Sequence, residues 1–146
     1  DKDTTGLLLL TNDGALTHQL LSPKYHVPKV YLAEIDGTAD EADVAAFAQG
    51  MTLGDGTVCL PAGLEPLEPG RCKVTLYEGK YHQVKRMLAA QGKPVTALHR
   101  QTFGPLSLEA ELLPGQCRLL TEGEVNALRE AVRERRETGK KFPESY

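Results

Sequence analysis

MTLGDGTVCLPAGLEPLEPGRCKVTLYEGKYHQVKRMLAAQG (51–92) sets three kinds of local structure side by side. Its first half spaces Gly54, Gly56, Gly63 and Gly70 with Pro61, Pro66 and Pro69, a density of breakers that leaves room only for short strands joined by turns. RCKVTLYEG (71–79) then alternates, with Cys72, Val74 and Leu76 on one face, as a half-buried strand does. KYHQVKRMLAAQG (80–92) changes period: Val84, Met87 and Leu88 recur at helical spacing and Gly92 ends the run.

The same irregular alternation extends outward. On the N-terminal side, GLLLL (6–10) reads as a short buried strand, TNDG (11–14) as a turn and ALTHQLL (15–21) as a helix stopped by Ser22-Pro23. KVYLAEI (29–35) is rich in β-formers and closes on Asp36-Gly37. ADEADVAAFAQG (39–50) is an amphipathic surface helix with Asp40 as N-cap, an acidic first turn that suits the helix dipole, and Gly50 as its stop. On the C-terminal side, PVTALHR (94–100) and LSLEAELLP (106–114) read as strands around a Gly104-Pro105 turn. A final helix opens on a Thr121–Glu124 capping box and becomes charged all round at its far end. Strands and helices mixed with hairpins predict an α+β fold with a mixed, mainly antiparallel sheet flanked by helices, in one domain over 1–146.

Composition excludes several classes. At 146 residues the chain can bury a real core. No run approaches the roughly 20 apolar residues that span a bilayer, and the acidic, polar opening is unlike a signal peptide. Cys59, Cys72 and Cys117 are odd in number and form no CxxC pair, which fits a reducing cytoplasm better than a disulfide framework or a zinc site. His18, His26, His82 and His99 lack metal-ligand spacing, and each reads as a surface or hydrogen-bonding histidine. There is no P-loop, no GxGxxG after a strand and no GxSxG elbow.

The net charge of −3 conceals an asymmetry. Residues 34–68 carry eight carboxylates and no Lys or Arg, whereas 71–100 carry seven basic residues against Glu78 alone. A polyanion could bind the second segment, although two oppositely charged faces of an ordinary domain account for charge equally well. Within the basic segment, Lys80, Lys85 and Arg86 crowd a helix start, where the dipole disfavours cations, so an anion is expected beside them. Polar groups also precede the first strand, where Asp1 and Asp3 stand in DKDTTG, and open the second, in KVY.

Four segments in order, DKDTTGLLLLTNDG, SPKYHVPKVYLAEIDG, EGKYHQVKRMLAAQG and LHRQTFGPLSL, resemble the catalytic domain of bacterial rRNA pseudouridine synthases, over nearly the whole chain to about Thr121. SPKYHVPKVY and GPLSLEAELLPGQCRLLTEGE make it most similar to the group that modifies small-subunit (16S) rRNA, the RsuA family. That family's signature is Gly-Arg-Leu-Asp, two variable residues, Thr or Ser, a variable residue, then Gly-Leu. Laid on this sequence, the catalytic aspartate is Asp1, while Asp3 falls at a variable position.

The resemblance implies that Tyr31 packs against the target base, that Lys85 pairs with Asp1 and orients it, and that Lys29, Lys80, Arg86 and Arg100 contact phosphates. It implies no cofactor and no metal. The partner would be ribosomal RNA or an assembling small subunit, with no membrane, for a cytoplasmic monomer. Gly-Arg-Leu, the earlier strands of the catalytic fold and a small S4-like RNA-binding domain would then precede position 1, and the segment they form would be needed to hold Asp1. Other classes compatible with the residues are an rRNA-binding module of the same fold without turnover, and a glycoside-processing enzyme using Asp1 and Asp3.

Overall fold

A computed structural model describes residues 1–138, with side chains described as far as position 133. Positions 139–146 of the expected domain, and the charged side chains at the far end of the last helix, lie outside it. Eight strands and four helices follow in order: β1 (Thr4–Gly6), α1 (Gly14–Leu21), β2 (Lys29–Ile35), α2 (Glu41–Gln49), β3 (Met51–Thr52), β4 (Val58–Cys59), β5 (Gly63–Pro66), β6 (Arg71–Leu76), α3 (Gln83–Ala90), β7 (Val95–Phe103), β8 (Leu106–Ser107) and α4 (Glu122–Thr138). The main sheet runs β1-β7-β2-β6-β5 with β8 on β7, and β3–β4 form a separate hairpin. Only β1–β7 is parallel; the other pairings are antiparallel, so the sheet is mixed and mainly antiparallel.

The helices begin where their caps dictate. Asp40 accepts from the Asp43 amide at 3.0 Å while the Asp43 carboxylate accepts from the Asp40 amide at 3.0 Å, a reciprocal box. Thr121 and Glu124 repeat it at 3.1 and 2.9 Å. Two apolar clusters result. One gathers Phe47, Cys72, Val74, Met87 and Leu88, all fully buried, between the sheet, α2 and α3. The other joins Leu16, Leu20, Val27, Phe103, Leu106, Leu128 and Val132, tying α1 and α4 to the end of β7.

Two expectations are corrected. GLLLL is not a buried strand. Strand pairing stops at Gly6, and Leu8 and Leu10 are 69% and 80% exposed, whereas Leu7 and Leu9 pack on the second cluster. Side chains alternate along an extended segment, and here the described residues cover only one side. LSLEAELLP likewise supplies only the two residues of β8, because its later part finds no strand to pair with among the described residues.

β7 holds the arrangement together. Between β2 and β7 the register slips after Val30, so that Val30 faces Thr102 but Tyr31 faces Arg100. Such a bulge re-aims the side chains around it. On its other side Arg100 faces Gly6 of β1. Gly6 has φ +109°, and a Cβ there would lie 2.2 Å from the Arg100 carbonyl oxygen, so only glycine lets β1 approach this closely.

Candidate active site

The approach of β1 to β7 fixes where Asp1 stands. Asp1 closes a turn just before β1, its carbonyl accepting from the Thr4 amide at 3.3 Å and its Oδ2 accepting from the Thr4 hydroxyl at 3.3 Å. Its carboxylate is 17% exposed and meets the start of α3. His82 Nε2 lies 3.3 Å from Oδ1 and Lys85 Nζ lies 3.9 Å from Oδ2. The anion expected beside the basic helix start is therefore the Asp1 carboxylate, set against the amide end of α3, where dipole and cations act together on it.

The turn that presents His82 and leads into α3, which carries Lys85, is braced from below. Glu78, 2% exposed, accepts from the Leu60 amide at 2.8 Å and from Gln83 Nε2 at 2.9 Å. Gln83 Oε1 in turn accepts from the Lys80 amide at 3.0 Å. A buried carboxylate with these partners is satisfied, and it locks the chain between β6 and α3. His82 itself has φ +47°, in the left-handed region that side chains rarely occupy.

A cleft of about 1180 Å³ opens in front of the carboxylate. Asp1, Tyr31, Lys80, His82 and Arg100 line it, with Leu76 and Leu98 among its apolar walls. Tyr31 is half-buried and packs against the first core cluster, so it serves the core and faces the cleft together. A carboxylate flanked by two potential cations and a hydroxyl, beside an aromatic ring and leucines, can stabilise positive charge developing on a sugar or attack an electrophilic carbon. The apolar walls suit a planar base.

Of the residues singled out in the sequence, Asp1 and Lys85 are paired, and Tyr31, Lys80 and Arg100 share the cleft with Asp1. Lys80 hydrogen-bonds the Val58 carbonyl and lies 3.5 Å from Glu78. Arg86 points to Asp55 at 2.8 Å and donates through Nε to the Tyr81 carbonyl at 2.8 Å. Arg100 donates to the Leu7 carbonyl at 2.8 Å and lies over the Phe103 ring at 5.2 Å.

Lys29 is the exception. It is 3% exposed, paired with Leu76 and Phe103 inside the sheet, with its ammonium 5.4 Å from the Phe103 ring centre and 3.4 Å from the Val27 carbonyl. It is corrected from a surface phosphate contact to a buried cation. Burial, reinforced by the Arg100 charge and opposed by Glu78, lowers its pKa to about 8.

Sequence reading missed His82, Thr4, Gln83 and Glu78. The signal for His82 and Gln83 was their place within YHQVKR; nothing in the sequence pointed Glu78 inward. Among the described residues no group of three or more His, Cys, Asp or Glu is placed to hold a metal ion.

Similarity to known proteins extends over most of the chain. The RNA pseudouridylate synthase family profile matches residues 1–90. The chain is 43% identical over 126 residues to the ribosomal small subunit pseudouridine synthase A of Escherichia coli, covering 86% of this chain and 54% of that protein. It is 44% identical over 129 residues to the protein of the same name from Haemophilus influenzae, covering 88% and 56%. A crystal structure of a pseudouridylate synthase superposes with a TM-score of 0.83 at 44% identity, covering 88% of this chain and 56% of that one. The chain thus spans about half the length of the curated relatives it matches. With residues 1–90 matched by the family profile and 43–44% identity to its members over most of the chain, the chain belongs to the RNA pseudouridylate synthase family.

Proposed function

We propose that the protein containing this chain isomerises a uridine of small-subunit ribosomal RNA to pseudouridine, with Asp1 as the catalytic carboxylate. The observation that carries the reading is the placement of Asp1, held between His82 at 3.3 Å and Lys85 at 3.9 Å, at a cleft it shares with Tyr31. The small-subunit rRNA assignment rests on the names of the relatives that share 43–44% of their aligned residues with it.

The reaction conserves the atoms of the nucleotide. The N1–C1′ bond breaks, the uracil turns, C5 bonds to C1′, and the proton on C5 moves to solvent while N1 gains one. No net oxidation occurs. Asp1 can act at the sugar, at the base or on the C2′ proton, and each role needs an ionised carboxylate held in place. Lys85 and the Thr4 hydroxyl supply that orientation. Tyr31 offers a flat face to a base extruded from the RNA, as enzymes acting on bases require. Lys80 and Arg100 stand at the cleft where phosphates would pass.

Tritium release from C5-labelled ribosomal RNA tests this directly, because forming the C5–C1′ bond expels that hydrogen. The full-length protein is expected to release tritium. Asp1→Asn should lower the rate by at least about 1000-fold while leaving RNA affinity within about twofold, since only the transition-state interaction is removed. Tight RNA binding without release from naked RNA or assembling particles would instead establish a binding module.

A further inference from the structure

Tyr81 is 75% exposed, an unusual state for an aromatic ring beside an ordered cleft. It is also not loose. Its ring stacks on His82 at 3.9 Å between centroids and 15° between planes, and its carbonyl is fastened by Arg86 Nε at 2.8 Å. Neighbouring side chains of an extended segment point to opposite faces, so stacking adjacent rings needs an unusual backbone, and His82 supplies it with φ +47°. A left-handed conformation at a non-glycine residue is uncommon and persists where the surroundings enforce it. Here the enforcement is the Glu78–Gln83–Lys80 brace and the contact of His82 with Asp1.

The result is a rigid aromatic surface one ring away from the Asp1 carboxylate. Of the cations close to it in sequence, Arg86 stands by the ring, its guanidinium 6.0 Å from the Tyr81 ring centre, while Lys85 pairs with Asp1 as His82 does. An exposed ring with cations about it is how proteins hold single-stranded nucleic acid: the base stacks, and the backbone phosphates meet the charges.

We propose that Tyr81 is the stacking platform for a base flanking the target uridine, holding the RNA strand open at the cleft while Tyr31 faces the target itself. The inference rests on the proposed action on RNA, and it assigns Tyr81 to binding, not to chemistry. The platform recognises any base through its π-face, so it secures the strand without choosing its sequence.

The test pairs a protein change with an RNA change. Binding of a fluorescein-labelled oligouridylate of twelve nucleotides, and of a matching oligomer with abasic ribose throughout, is measured by anisotropy for the full-length protein and for Tyr81→Ala, Tyr81→Phe and Tyr81→Trp. Tyr81→Ala should weaken binding of the oligouridylate roughly tenfold, within the range for loss of one stacked base, and that of the abasic oligomer less than twofold. Tyr81→Phe and Tyr81→Trp should keep the wild-type preference for bases. Equal loss on both oligomers, or no loss on either, would overturn the platform. Tritium release is followed in parallel, and there Tyr81→Ala should raise KM with kcat within about threefold. If the wild type binds with this base-dependent pattern yet releases no tritium, the platform stands and the isomerase reading falls. If the wild type turns over and the pattern is absent, the reverse holds.

Discussion

Single residues show how far side-chain type fixes role. The cation cluster at a helix start called for an anion, but only the resemblance of DKDTTG and HQVKR to the family's motifs singled out Asp1 and Lys85 as the pair; Glu78 and Asp55 stand beside Lys80 and Arg86 as Asp1 does beside Lys85. Lys29 was misread, since a lysine opening a strand ordinarily reaches water, and nothing in KVYLAEI indicates that β6 and β7 close over it. The buried ammonium has a thermodynamic signature. In the folded chain it loses its proton near pH 8, in the unfolded chain near 10.5. Between those values the unfolded state binds more protons, so stability climbs as pH rises from about 8 to 10.5; below pH 8 both states are protonated and the full penalty of burying the charge applies. The shift corresponds to a penalty on the order of 3 kcal/mol. Lys29→Met fills similar volume without the charge. It should be at least as stable as the wild type at pH 7, and in urea melts at a series of pH values the extra climb above pH 8 should vanish from the difference between the two proteins. A Lys29→Met protein that is several kcal/mol less stable at pH 7 would mean that the ammonium is compensated by contacts with Val27 and Phe103 that outweigh its desolvation.

Elements were legible wherever periodicity and caps agreed. The boxes at Asp40–Asp43 and Thr121–Glu124 start α2 and α4 as their sequences indicate, and the one-sided alternation of Cys72, Val74 and Leu76 is the buried face of β6. What failed was pairing at a distance. Four leucines announce burial, but whether residues 7–10 join a sheet depends on partners elsewhere in the chain, and β7 stops pairing with β1 at Arg100. Gly6, at the end of that pairing, is the residue on which β1 most depends. Alanine there meets the Arg100 carbonyl oxygen at 2.2 Å and must hold φ +109°. Backbone cannot yield as a side-chain tip would, so β1 must move off β7 and take Asp1 with it. Gly6→Ala should cost about 2–4 kcal/mol in chemical denaturation, combining strain at φ with a lost close approach. Turnover should fall by more than the folded fraction explains, because small displacements of a catalytic group are expensive. Full activity per folded molecule would show that Asp1 is positioned from α3 alone.

Across the whole molecule, the acidic segment 34–68 and the basic segment 71–100 fold onto each other. Glu68 pairs with Arg71 at 2.6 Å, Glu65 with Lys73 at 3.1 Å, Asp55 with Arg86 at 2.8 Å, and Asp43 with Lys93 at 2.6 Å. The linear asymmetry is thereby largely cancelled in space, which sequence could not reveal because it depends on which strands become neighbours. Lys80 and Arg100 line the cleft, while Arg86 is held by Asp55 from the β3–β4 hairpin. Most such exposed pairs are worth little to stability, but in the proposed RNA complex this one would compete with phosphate for the guanidinium. Asp55→Asn keeps an oxygen to accept from the Thr57 amide, a bond now 3.0 Å long, and removes only the charge. It should tighten RNA binding about two- to fivefold at 50 mM salt, with the advantage fading toward 500 mM as screening shortens the reach of the missing repulsion. The dependence of log K on log salt should steepen by up to about 0.7, the contribution of one further phosphate on a single strand. Anisotropy titrations across that salt range decide it. Unchanged affinity at 50 mM would mean that Arg86 serves only to fasten the Tyr81 carbonyl and the hairpin, and that the phosphate path runs through Lys80 and Arg100 instead.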